Sequence, residues 1–359
     1  MDFAALSSCH VRCPFFVLGR EKLTAGIISS RFGEQISATL SRRLGYDPLQ
    51  SLSAPNRMSL IDKNWPLSPR DPHVPAWTNV IDKSWEANRM ATYAAMVENL
   101  DNGVGDILDA LKQKGVEQNT LVIFFSDNGA CAEPIEPNWY NVPSRTRDGR
   151  PIAVGNNNHS IFAGPDNAWQ SYGLPWANVS DTPFVLYKHF THEGGIASPF
   201  IARWPAGIKH SGTVSAQLAH VTDIVPTLVE MAGAKHPNNY EGRSIQPLEG
   251  NSLIPIFEGE KRPHPSPIFW EHEGNRAVRL QQWKLLAHQG HEWELYDTMT
   301  DRTEQNNLAS THTAKVKEMA ALYDAWAKRC NVLPFSQLPR ERPIIPTSVT
   351  NTASQSVSK

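Results

Sequence analysis

The chain has few cysteines, no long apolar run and no surplus of charge of either sign. Its four cysteines, at positions 9, 13, 131 and 330, form neither a disulfide-dense framework nor a paired C-x-x-C metal pattern, and so leave the redox compartment open. No run approaches the roughly 18 apolar residues that a spanning helix requires. The N-terminal stretch Cys13-Pro14-Phe15-Phe16-Val17-Leu18-Gly19 is short for a signal h-region and has no basic segment before it, so no export signal is expected. A net charge of −2 argues against nucleic acid or an anionic membrane as a main partner. None of the 13 histidines stands in an H-E-x-x-H spacing. What remains is an ordinary globular composition, 40% hydrophobic and 19% charged over 359 residues, enough for one large domain and a small one.

The pattern along the chain predicts an α/β fold: a large mixed sheet flanked by helices, then a small antiparallel sheet with a helix. Residues 46 to 80 are rich in proline and tryptophan and read as an ordered irregular segment. Met90, Ala94, Val97, Leu100, Val104, Ile107, Leu108 and Leu111 recur at helical spacing, predicting one amphipathic helix over Lys83 to Lys114, closed by Gly115. Thr120 to Ser126 then reads as a strand buried on both faces. Residues 129 to 187, with Trp139, Trp169 and Trp176, form a long rim of little periodicity. A second short strand is expected over Pro199 to Trp204, and a helix over Thr222 to Met231 with Thr222 as its N-cap and Pro226 in its first turn. Ile268 to Glu271, Ala277 to Leu280, Trp283 to Ala287 and Trp293 to Tyr296 have the cadence of an antiparallel meander, followed by a helix from Thr313 to Lys328. The expected division is a large α/β domain over 1–262, a smaller α+β unit over 263–335 and a disordered tail over 336–359.

Three places could carry chemistry. Asp127-Asn128-Gly129 follows the 120–126 strand at its carboxyl end, the edge where ligands bind in open α/β sheets. A carboxylate and a carboxamide are hard oxygen donors suited to calcium, which takes roughly six to eight of them; the same tripeptide also makes a plain turn. Lys188 stands shortly before Gly194-Gly195, where backbone approaches closely, and its ammonium is either a donor to a sulfate or phosphate oxyanion or a solvated side chain. His272, in Glu271-His272-Glu273-Gly274-Asn275-Arg276, either helps bind an anionic ester and protonates its leaving group, or is a satisfied histidine in a turn.

Taken in order, Ser126-Asp127-Asn128-Gly129, Lys188 with Glu193-Gly194-Gly195, Trp204-Pro205, Ala219 to Thr227, Trp283-Lys284-Leu285, Glu294-Leu295-Tyr296-Asp297 and Thr303-Glu304 resemble the sulfatase family, most of all the arylsulfatases of the alkaline-phosphatase-like superfamily. The likeness runs from about Trp65 to Phe335. It implies a sulfuric ester hydrolase acting on a small-molecule or carbohydrate sulfate ester. It also implies that Asp127 and Asn128 supply two calcium ligands, that Lys188 contacts the sulfate, and a periplasmic or extracellular location. The family's nucleophile is a formylglycine made from a cysteine in C-x-P-S-R or C-x-A-x-R, whose hydrate attacks sulfur.

The sequence departs from that pattern. Cys9 is followed by His10-Val11-Arg12, Cys13 by Pro14-Phe15-Phe16, Cys131 by Ala132-Glu133-Pro134 and Cys330 by Asn331-Val332-Leu333, none of them the modification sequence. Paired aspartates ending an early strand are also missing, as is a later Lys-x-His. Pro14 to Val17 resembles a strand that follows those features, while Gly19-Arg20-Glu21-Lys22 replaces an expected Ala-Pro-His segment. The expectation is a truncated or frame-shifted start, an incomplete calcium site, exposed sheet edges and apolar helix faces, and impaired activity. The alternatives are a phosphodiester or phosphonate ester hydrolase of the same superfamily and a catalytically silent fragment or pseudoenzyme.

Overall fold

A computed structural model describes residues 15–18, 65–135, 143–154, 158–262 and 267–338; for 15–18 it describes the backbone. Expectations placed on Gly19-Arg20-Glu21-Lys22, on Trp139, on residues 46 to 64 and on the tail after 338 lie outside them. The strands are β1 (Phe15–Leu18), β2 (Val122–Phe125), β3 (Phe200–Arg203), β4 (Thr213–Ser215), β5 (Ile268–His272), β6 (Asn275–Leu280), β7 (Trp283–Ala287) and β8 (Glu294–Asp297). The helices are α1 (Lys83–Gln113), α2 (Gly173–Ser180), the single turn α3 (Glu193–Ile196), α4 (Ile224–Met231), the turn α5 (Ile254–Phe257) and α6 (Thr313–Arg329). Two-residue ladders at 153–154 with 168–169, and at 239–240 with 243–244, complete the strands.

The first sheet has the order β2-β3-β1-β4. β1 runs parallel to β3 and antiparallel to β4, and β2 runs antiparallel to β3 with Phe124 opposite Ile201, so the sheet is mixed as expected. Its core gathers Phe200, Ala202, Ile208, Leu253, Ile256 and Phe257. The expectation that β2 is buried on both faces fails. Among the described residues β2 is an edge strand paired to β3, and its Phe125 is 37% exposed.

α1 begins where the sequence places it. The Asp82 side chain accepts from the Trp85 backbone N–H at 3.0 Å, an N-cap that satisfies one donor the first turn leaves without a partner. At its far end Gly115 adopts φ of +69°, the left-handed conformation that terminates helices. α4 starts differently from the sequence expectation. A 3-10 turn, Val221–Asp223, precedes it, and the His220 imidazole accepts from the Thr222 N–H at 3.3 Å while Asp223 accepts from the His220 N–H at 2.8 Å. The extra turn moves the cap back, so His220 takes the capping role assigned to Thr222.

The second sheet is the antiparallel meander β8-β7-β6-β5, and α6 packs on it through Met319 and Tyr323 against Val278, Leu285 and Leu295. One buried polar network ties this sheet to α3. Lys284 of β7, fully buried, donates to Glu193 at 2.9 Å and to Glu304 at 2.6 Å; Glu304 also accepts from the Glu193 backbone N–H at 2.8 Å, and Arg302 pairs with Glu193. Three segments read separately in the sequence, Trp283-Lys284-Leu285, Glu193-Gly194-Gly195 and Thr303-Glu304, are therefore one contact. Among the described residues no helix is long and apolar enough to cross a membrane.

Candidate active site

The loop after β2 and the loop leading into α3 are held face to face by backbone. The Gly129 N–H donates to the Gly195 carbonyl at 2.9 Å, and the Lys188 N–H donates to the Ala130 carbonyl at 2.9 Å. The approach is so close that a Cβ on Gly129 would lie 1.7 Å from the Gly194 oxygen. That explains the glycine after Asp127-Asn128, which no turn conformation demands. The Ala130 N–H donates to the Asp181 carboxyl at 3.0 Å, fixing the same loop from α2.

Three of the four sequence candidates meet at one small cavity of about 70 Å³, lined by Asn128, Lys188, His189, Thr191, Trp270 and His272 among others. The fourth, Asp127, precedes Asn128 in the chain, and its charge adds the least of the effects, the bond to Glu133 first, that raise Lys188 against its burial. Asn128 and Asp127 come from the end of β2, Lys188 from the loop before α3, and His272 from the end of β5. The cavity thus lies where the two sheets meet.

Four groups here were not singled out from the sequence. Glu133 stands between two cations, with one carboxylate oxygen 2.5 Å from Lys188 Nζ and the other 3.0 Å from His189 Nε2. The His189 bond, with help from Cys131 and Lys188, holds Glu133 well below the usual carboxylate range despite burial. Burial works against charge on both cations, but the bond to Glu133 prevails: Lys188 is raised, and His189, which Glu273 also supports, is pushed up to about 9. His189 Nδ1 lies 3.0 Å from His272 Nε2 and 3.2 Å from Glu273 Oε2. His272 is shifted the other way, kept neutral by burial and by its neighbours His189 and Lys188. Cys131 donates to Glu133 at 3.0 Å, and burial with that bond pushes its thiol up to about 11. A protonated thiol is a weak nucleophile.

Fold and site together define a mixed α/β chain in which strand ends and the adjoining loops bring Asn128, Lys188 and His272 to one cavity, with Asp127 next to Asn128. The sequence pattern of the family described as Sulfatase matches residues 52–234, and that described as N-sulphoglucosamine sulphohydrolase, C-terminal, matches 184–324. The chain belongs to the sulfatase family. It is 35% identical over 281 residues to an uncharacterized sulfatase of Schizosaccharomyces pombe, covering 75% of this chain and 49% of that protein. It is 33% identical over 194 residues to the arylsulfatase of Klebsiella aerogenes, covering 51% of this chain and 40% of that one. A solved structure of Ps i-CgsB in complex with k-i-k-neocarrahexaose matches at 26% identity and a TM-score of 0.45, covering 69% of this chain and 44% of that one. The chain spans about half the length, or less, of these relatives.

Proposed function

We propose that this chain provides the ester-binding part of a sulfuric ester hydrolase, which cleaves a small-molecule or carbohydrate sulfate ester to an alcohol and sulfate. The observation that carries the reading is the single cavity shared by Asn128, Lys188 and His272 with Asp127 beside it. Attack on sulfur builds negative charge on the non-bridging oxygens, and a positioned ammonium stabilises that charge where water is excluded. Lys188 would supply the ammonium by turning from Glu133 toward the sulfuryl oxygens. His272, neutral in this setting, would first take the proton that the charged His189 directs from Nδ1 to its Nε2, and would then give that proton to the departing alkoxide oxygen.

Calcium fits the donor chemistry of Asp127 and Asn128, two hard oxygens at one strand end beside Lys188. When bound, the ion adds positive charge next to the sulfuryl oxygens. Two donors are a minority of the six to eight that calcium takes, so weak binding is expected. Because no cysteine of this sequence stands in the modification pattern, binding is expected without appreciable turnover.

Calorimetry with sulfate and calcium, alongside a chromogenic aryl sulfate assay, tests the reading. Sulfate heat should be lost in Lys188→Ala, and the calcium response should be lost in Asp127→Asn. Sulfate binding unchanged by Lys188→Ala would refute the assignment. Appreciable wild-type turnover abolished by Lys188→Ala would refute the impairment while supporting the site.

A further inference from the structure

We propose that His189, His272 and Glu273 form a binding site for a divalent first-row transition ion, zinc foremost, distinct from the oxygen-donor pair at Asp127 and Asn128. Their nearest ligating atoms form a compact triangle. His189 Nδ1 is 3.0 Å from His272 Nε2 and 3.2 Å from Glu273 Oε2, and His272 Nε2 is 3.9 Å from the same oxygen. These separations bracket the ~3.4 Å edge of a tetrahedron with zinc-type bonds. The point equidistant from the three corners lies in their plane at about 2.0 Å, and zinc bonds of about 2.1 Å lift the ion out of that plane toward an open fourth position.

The chemistry of the donors agrees with the geometry. Two imidazoles and one carboxylate suit zinc and its first-row neighbours, whereas calcium prefers oxygen alone. Three protein ligands leave a fourth position open to water or substrate. Solvent reaches the triangle from the Glu273 side, which is 48% exposed, while His189 is 18% exposed.

Each donor is aimed by a specific local structure. His272 ends β5, and Glu273-Gly274 forms a two-residue hairpin turn with φ of +53° and +84°. His189 itself has φ of +85°, an uncommon conformation for a residue other than glycine, and its carbonyl is held by the Asn275 side-chain amide at 2.9 Å. Behind it, His189 Nε2–H donates to Glu133, and the ion takes Nδ1 by displacing the proton there. A carboxylate on the far nitrogen of a metal-binding imidazole is the usual outer support of such a ligand. Because Glu133 also holds Lys188, this support joins the metal triangle to the oxyanion pocket.

The site does not depend on the sulfatase reading, since its donors bind an ion whether or not an ester is cleaved. The two do interact. His272 Nε2 given to a metal is no longer available for a proton, so a loaded triangle and a leaving-group acid are exclusive states.

The test is calorimetric titration of the chelator-treated full chain with Zn2+, and absorption spectroscopy of the Co2+ form. One equivalent is expected, with visible bands of a low-coordinate cobalt ion. Glu273→Gln, in an exposed hairpin turn, and His272→Ala should each weaken binding at least about tenfold, and Glu133→Gln by about 10- to 100-fold, while thermal midpoints confirm folded variants. Asp127→Asn should leave the zinc titration unchanged, which separates this site from the calcium pair. His291→Ala, at an exposed histidine beyond β7 whose ring stands edge-on to His288, should also leave it unchanged. No stoichiometric binding, binding indifferent to both Glu273→Gln and His272→Ala, or binding abolished by His291→Ala would overturn the proposal, whatever the sulfate and calcium titrations show.

Discussion

Glu133 shows how much of this site depends on one side chain. Its two oxygens neutralise Lys188 and His189, so the ammonium that would meet an oxyanion already has a partner. An incoming sulfate must compete with that carboxylate, and Glu133→Gln should therefore tighten sulfate binding while weakening metal binding. Opposite signs in the two titrations check this. Asp127, Asn128, Lys188 and His272 were legible from pattern because each sits beside a glycine or at the end of an apolar run. Glu133 had no such marker, while Glu273, directly before Gly274, reads as part of the same turn as His272. Glu133 lies in an aperiodic rim and meets its partners 55 and 56 residues later, a pairing that local pattern cannot express.

His220 offers a pH prediction at the same scale. Burial lowers its pKa to about 4, and the nearby Asp223 only partly offsets this; the ring also stands edge-on to Trp270. Its folded pKa is below the unfolded value, so its contribution to stability is full above about pH 6.5, declines as pH falls and is gone below about pH 4. Protonation at Nδ1 also removes the acceptor for the Thr222 N–H. The loss should be about 3 kcal/mol, measured by denaturant titration from pH 7 to pH 4, and His220→Asn should flatten that part of the profile.

Among elements, the strongest dependence is that of α3 on β7. Lys284 is fully buried between Glu193 and Glu304, and removing one partner from such a network leaves charge without compensation. Lys284→Met should cost about 3–5 kcal/mol in unfolding experiments, and less when Glu193→Gln and Glu304→Gln are added. The elements themselves were mostly legible. α1, the four strands of the meander and α6 fall within a few residues of their expected bounds, because hydrophobic period and glycine placement fix them locally. The start of α4 was not, because a 3-10 turn depends on an imidazole accepting a backbone proton, and histidine is not among the usual caps. Nor was the partial exposure of β2, since an apolar run reads alike in a central strand and at an edge.

At the scale of the molecule, apolar surface stands out. Met96, Leu100 and Ile107 of α1 are 64%, 51% and 58% exposed, and their spacing places them along one side of the helix. Val225 and Leu228 of α4 and Phe125 of β2 add to it. Exposed apolar faces of this kind promote association. The chain alone should self-associate in size-exclusion chromatography with light scattering, and Leu100→Lys with Ile107→Lys should shift it toward monomer with little change in thermal midpoint. A monodisperse wild-type chain would count against this. The general fold class was readable because the two sheets have different sequence textures. Their joint contribution to one cavity was not, because it depends on contacts between residues far apart in sequence, such as Glu193 with Lys284.

The buried lysine has a further consequence for anyone dissecting the chain. The meander is part of the scaffold of the pocket: its lysine holds the turn from which Gly194 and Gly195 reach the loop after β2. A fragment ended at residue 262 would retain Asp127, Asn128 and Lys188 in its sequence yet lose the cation beneath Glu193. Such a fragment should behave in ligand titrations like a mutant of the pocket, although Asp127, Asn128 and Lys188 are all still present.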